Sequence, residues 1–194
     1  GATVVMACRS VERGERAADE IRRESGGDRA DPELDVRECD LASLDSVAAF
    51  AEGLADGYDA VDVLCNNAGV MAIPRGETED GFETQFGVNH LGHFALTGRL
   101  FPLLDGAEGV GGEARVVTQS SGAHEQGEMD FSDLNWERSY GKWKAYGRSK
   151  LANLLFAYEL QRRLDDADGG DGQGVTVDPA VRSVACHPGY AATN

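Results

Sequence analysis

The chain has 194 residues, 41% hydrophobic and 27% charged, with 34 acidic against 18 basic side chains and a formal net charge of −16. That length and apolar share fit one domain, residues 1–194, with a substantial buried core, while no apolar run approaches the ~20 residues of a membrane span and no signal peptide is visible. Acids spread along the whole chain argue against a nucleic acid or an anionic membrane surface as partner.

Apolar strands alternate with amphipathic helices, the pattern of an α/β fold with a parallel sheet covered on both faces. Thr3 to Cys8 reads as a strand, and Ser10 caps a helix from Val11 to about Glu24 that the Gly26-Gly27 pair ends. Leu34 to Cys39 is a second strand, Ser43 to Leu54 a helix, and Val61 to Cys65 a third strand. Gly81 to Leu104 reads as one long helix interrupted by Gly87, Gly92 and Gly98, each compatible with loose helix or with close packing. Arg115 to Thr118 is a fourth strand, Ala145 to Leu164 a helix, Asp165 to Gly174 a solvated loop, and Arg182 to Cys186 a fifth strand. The run Val175 to Val181 is an extra element before that strand, with no function assigned to it.

Cys8, Cys39, Cys65 and Cys186 have no metal-like spacing and read as small hydrophobes on strands, which implies a reducing, cytoplasmic compartment. His90, His93, His124 and His187 offer one i, i+3 pair and no carboxylate at ligand spacing, so no metal site is expected. The acidic coat with only three lysines, Lys142, Lys144 and Lys150, matches what a salt-adapted cell requires. Those lysines cluster around the chemistry instead of coating the surface.

Tyr146 and Lys150 stand four apart and so share one helix face. A phenol with an ordinary pKa of about 10 needs a nearby cation to exchange protons near neutrality. Ser120-Ser121 follows the fourth strand, and Asn89 is a polar residue inside the long helix. Asn66-Asn67-Ala68-Gly69 closes the third strand and Asp40-Leu41 follows the second, placing polar groups and small residues on one rim of the sheet, where ligands of open α/β folds bind. At the end of the first strand stands Arg9 where an acid would select a ribose 2′-hydroxyl, so NADP(H) is favoured over NAD(H).

Taken in order, Asp40-Leu41, Asn66 to Gly69, Asn89 to Phe94, Ser120-Ser121, Tyr146 to Lys150 with Leu151-Ala152-Asn153, and His187-Pro188-Gly189 resemble the short-chain dehydrogenases/reductases, and among them the retinol dehydrogenase branch. The resemblance implies a Rossmann-type doubly wound sheet and hydride transfer between a nicotinamide and an alcohol, aldehyde or ketone. It implies Tyr146 as general acid/base, Lys150 as the cation beside it and ligand of the nicotinamide ribose, Ser121 as the hydroxyl on the carbonyl oxygen, and Asn89 as holder of a water. Arg9, Asp40, Leu41, Asn67, Ala68, Gly69, Pro188, Gly189 and Thr193 would line the cofactor. By the same comparison the glycine-rich phosphate loop with the first strand, and the last strand, are expected to lie outside this chain, which leaves the Rossmann domain incomplete. A lipophilic substrate and a homo-oligomer follow from the resemblance. The competing classes are a dinucleotide-binding regulator without turnover, an inactive fragment of the enzyme, and a nucleotide-sugar epimerase. The intact Asn89, Ser121, Tyr146 and Lys150 set disfavours a pure binder, and the Asn-Asn-Ala-Gly turn disfavours the epimerase. Phe131, Leu134, Trp136 and Trp143 either line an apolar cleft or pack their loop down.

Overall fold

A computed structural model describes residues 2–25, 32–107, 113–168 and 181–189. The strand β1 (Thr3–Cys8) and the helix α1 (Val11–Ser25) come first, followed by β2 (Glu33–Glu38) and α2 (Leu44–Ala55). Next are β3 (Val63–Asn66), the single turn α3 (Thr84–Phe86), a π-helical turn (Gly87–Leu91) and α4 (Gly92–Asp105). The chain closes with β4 (Ala114–Gln119), a 3₁₀ turn (Gly122–Gln126), α5 (Lys142–Asp168) and β5 (Val181–Cys186). All strand pairs are parallel, β1 with β2 in one sheet and β3-β4-β5 in order in another. Parallel pairs require crossovers, and the helices between strands supply them.

Two apolar clusters fix the layers. Val47, Phe50, Ala51 and Leu54 of α2 pack with Leu96 and Leu100 of α4, against Val5 of β1 and Leu64 of β3, so these two helices span both sheets. Leu104, Ala114, Val116 and Val181 form the second cluster, closed by Leu160 and Leu164 of α5. The period-2 alternation that turns Leu64 and Asn66 inward turns Val63 and Cys65 outward. Hence Cys65 is exposed; Cys186, at the exposed end of β5, is exposed too, against the expectation of small buried hydrophobes on strands, and of the four only Cys39 is buried.

Three boundaries differ from expectation for local reasons. The long helix starts at Thr84, because the carboxylate of Glu83 accepts from the backbone N–H groups of Gln85 and Phe86 and caps it there. Its glycines divide: a side chain at Gly92 would stand 2.6 Å from the carbonyl oxygen of Leu41, and one at Gly87 would collide with Thr78, while Gly98 faces open space. The helix α5 begins at Lys142 and runs to Asp168, so the start of the expected acidic loop is helical, carried by Arg162 and Arg163 paired with Glu159 and Asp166. Gly26-Gly27, most of that loop, the run Val175 to Pro179 and Ala180, and Thr193 lie outside the described residues.

Candidate active site

Tyr146 and Lys150 stand on the first turns of α5, one face apart by a single turn, with the lysine Nζ 5.8 Å from the centre of the tyrosine ring. Trp143, one turn earlier on the same side, sets its ring edge-on to Tyr146 with centroids 6.4 Å apart. Lys150 is 4% exposed, and its Nζ donates to the carbonyl of Gln119 at 3.1 Å. Burial pushes its pKa down to about 8, with no carboxylate among the described residues offsetting it.

The rim after β3 closes on this lysine. A Cβ added at Gly69 would sit 2.9 Å from Oδ1 of Asn89 and 3.6 Å from Nζ of Lys150, so only a glycine lets backbone approach the cation this closely. Asn89 lies at the centre of the π-helical turn, fully buried. Its Oδ1 accepts from the N–H of Val70 at 2.7 Å, and its Nδ2 donates to the carbonyl of Val70 and to Oγ of Ser149, both at 2.9 Å. One amide thereby fastens the rim to α5, and these three bonds occupy the side chain expected to hold a water. π-helical turns inside α-helices occur at functional sites with some frequency.

The serine pair splits by role. Ser120 is buried and its hydroxyl donates to the carbonyl of Lys150 at 2.8 Å, tying the end of β4 to α5. Ser121 is half-buried, caps the 3₁₀ turn by accepting from the N–H of Ala123 at 3.2 Å, and keeps its own hydrogen uncommitted among the described residues. That turn rests directly on the helix: a side chain at Gly147 would stand 2.7 Å from the carbonyl oxygen of Ala123, and one at Gly127 would collide with the carbonyl of Gly147. Removing the hydroxyl in Ser121→Ala is expected to lower kcat/KM about 10²-fold, the scale of one donor on a developing oxyanion. Ser120→Ala is expected instead to destabilise by about 1–2 kcal/mol, the cost of an orphaned buried partner. Steady-state kinetics and thermal melts on both variants would separate the two, and equal kinetic damage would remove the distinction.

A family model described as short chain dehydrogenase matches residues 1–194. The chain belongs to the short-chain dehydrogenase family. It is 48% identical over 200 residues to retinol dehydrogenase 14 of Mus musculus, covering all of this chain and 55% of that protein, so it spans about half the length of that curated relative. A crystal structure of an uncharacterized protein from Mycobacterium paratuberculosis is similar with TM-score 0.80 at 47% identity, over all of this chain and 61% of the other. The Pseudomonas aeruginosa RhlG/NADP active-site complex is similar with TM-score 0.61 at 26% identity, over 84% of this chain and 58% of the other.

In this member of the family the remaining candidate residues follow the rim. Asn67, Ala68 and Gly69 are exposed after β3, Arg9 is exposed after β1, and Asp40 turns its own loop by accepting from the N–H of Ala42 at 2.9 Å. Leu41 packs against Gly92. Pro188 and Gly189 are exposed beyond β5, which the bond from the N–H of Ser120 to the carbonyl of Cys186 holds beside Ser121. Ser120, Ser121, His124, Leu154, Ala185, Cys186 and His187 enclose a shallow cleft of ≈ 90 Å³ there. Of the four apolar residues expected to line or close a cleft, Trp143 is half exposed at the site, Phe131 points to solvent, Leu134 is half-buried, and Trp136 lies under the guanidinium of Arg148 at 4.0 Å. Arg148, 4% exposed, donates to the carbonyls of Glu128 at 2.8 Å and Asp133 at 2.6 Å, pinning the strap Glu128–Trp136 to the back of α5. The sequence reading did not single out Gln85 or assign a role to Arg148 or Asn153. Gln85 carried a signal, because it falls three residues after Phe82 and four before Asn89 and thus on the inward stripe of the helix.

Proposed function

We propose that this chain carries the proton-transfer side of an NADP(H)-dependent oxidoreductase that moves a hydride between the nicotinamide and an alcohol or carbonyl carbon. The observation that carries the reading is the approach of Lys150, a buried ammonium without a carboxylate partner, to both the Tyr146 ring and the glycine at the rim. The residues present fit the ribose of a dinucleotide: the bare backbone at Gly69 comes close to the Lys150 ammonium, a donor for ribose hydroxyls, and the adjoining Asn67 and Ala68 are exposed. Lys150, Gly69, Pro188 and Gly189 would hold that cofactor, with Thr193 beyond the described residues, and Asp40, Leu41 and Arg9 would meet its adenosine end. When bound, the dinucleotide accepts or supplies the hydride.

The chain's own residues manage the oxygen. In reduction the phenol of Tyr146 gives its proton to the carbonyl oxygen, and in oxidation the phenolate takes it back. The Lys150 ammonium stands over the Tyr146 ring, and Ser121 donates its uncommitted hydrogen to the oxygen as charge develops there. Asn89 keeps rim and helix in register. Arg9 supports a preference for the 2′-phosphate, as does the NADP in the RhlG complex. The half-exposed Trp143 and Met71 beside the site, together with the similarity to a retinol dehydrogenase, support a lipophilic substrate. The acid-rich composition supports a salt-adapted, cytoplasmic setting.

The test is oxidation of NADPH and of NADH by the full chain across a panel of aldehydes and ketones at high salt. The expected result is carbonyl-dependent loss of NADPH faster than of NADH. Binding of NADPH without turnover on any carbonyl would replace the enzyme with a dinucleotide-binding regulator.

A further inference from the structure

Gln85 is 0% exposed, on the short helix α3 one turn before Asn89. Its Oε1 accepts from the N–H of Ala72 at 2.7 Å. Its Nε2 donates to the phenolic oxygen of Tyr140 at 2.7 Å and to the carbonyl of Lys142 at 2.9 Å. Tyr140 in turn donates to the carbonyl of Ile73 at 2.9 Å. One side chain therefore joins the rim loop after β3, the strap before the site and the first residue of α5, segments 13, 55 and 57 residues away along the chain. Both amide hydrogens and the amide oxygen are used, which neither leucine nor an ionised glutamate can reproduce. Ala72 is held at φ +51, a left-handed backbone conformation that an alanine keeps only when its surroundings impose it.

We propose that Gln85 is a positioning residue for the reaction, setting the gap between the rim and the tyrosine helix. The proposal rests on the oxidoreductase reading. Ala72 follows Gly69 by three residues, and Lys142 precedes Tyr146 by one helical turn, so the bridge spans the outer end of the site. Asn89 spans the inner end through Val70 and Ser149. The Arg148 bonds and the Gly127–Gly147 contact fasten α5 from residue 147 onward, so the turn ahead of them, Lys142 to Tyr146, depends on the outer tie; without it that turn shifts from the rim and carries Tyr146 with it. A misplacement of about 1 Å of a reacting group lowers rates about 10²-fold.

Gln85→Leu in the full chain is expected to lower kcat about 10²-fold at saturating NADPH and aldehyde, beyond any loss of folded protein read by circular dichroism. Hydrogen exchange at the Ala72 amide is expected to accelerate in the same variant, a readout that needs no turnover. Gln85→Glu supplies the finer discrimination. Its carboxyl would be buried beside the carboxylate of Glu83 and the phenol of Tyr140, with Arg75 beyond the phenol and only a backbone carbonyl facing it from α5. Burial and the like charge raise such a carboxyl's pKa. Protonated, it offers one donor in place of two; ionised, it offers none. Turnover relative to the unsubstituted protein is therefore expected to be highest at the acid end and to fall as pH rises through that pKa. If Gln85→Leu does not fold, Gln85→Glu at acid pH keeps the test. Wild-type kcat in Gln85→Leu, or a Gln85→Glu profile that parallels the unsubstituted one at every pH, overturns the proposal. No turnover in the unsubstituted protein overturns the oxidoreductase reading instead.

Discussion

Tyr146→Phe is expected to lower kcat/KM about 10³-fold, within the 10²–10⁴ range of a positioned general acid, while leaving NADPH affinity within about twofold. The two halves of that expectation come from different atoms. The ring packs edge-on against Trp143 and under the Lys150 ammonium, and phenylalanine retains both contacts. Only the hydroxyl is lost, and with it the proton that the carbonyl oxygen requires as hydride arrives. Steady-state kinetics beside a fluorescence titration with NADPH would check this. Unchanged turnover would remove Tyr146 from the mechanism, and loss of cofactor affinity in step with kcat would give it a binding role.

Lys150→Met should move stability and activity in opposite directions. Burial pushes the lysine pKa from 10.5 to about 8, so the folded chain binds fewer protons than the unfolded chain between those values. Stability attributable to this group therefore rises with pH across that window, and below about 8 the folded state carries the full penalty, about 3 kcal/mol at 1.36 kcal/mol per unit. Methionine removes the charge and the penalty but also the bond to Gln119, leaving an expected net gain of about 1–2 kcal/mol at neutral pH. Turnover should fall at least 10²-fold, because the Lys150 ammonium is the cation that stands over the Tyr146 ring. The unsubstituted protein should show kcat/KM, which reports free enzyme, declining as pH rises through about 8. Denaturant melts and a pH–rate profile measure both; a less stable Lys150→Met would mean that the lysine is held by structure the geometry does not contain.

What the residue pattern revealed was local. That Tyr146 and Lys150 share a helix face was readable because a spacing of four is a helical turn, whereas the preference for Ser121 over Ser120 came from the family resemblance. Alternating strands and helices gave the parallel pairings, since only crossovers can make them. What stayed hidden depends on contacts between distant segments. The burial of Gln85, the stacking of Arg148 on Trp136 and the π-helical turn at Asn89 arise from partners far along the chain, and a propensity carries no information about them. The early start of α5 was missed because Trp143 and Lys144 are exposed and add nothing to an apolar stripe. Its late end was missed because the acids after Leu164 oppose the helix dipole, and Asp165 and Asp166 are held by Gln161 and Arg162 one turn back.

The paired glycines at 127 and 147 have a mechanical meaning. Where most neighbouring elements are separated by side chains that can rotate, here main chain lies on main chain between the turn that begins at Ser121 and the helix turn that begins at Tyr146. Such a contact is stiff, because no torsion near it can relax a compression. The backbones that carry the hydroxyl donor and the phenol are thereby kept from closing on each other by a hard wall, and the remaining adjustment between the two groups falls to the torsions of their side chains and to the tie at Gln85.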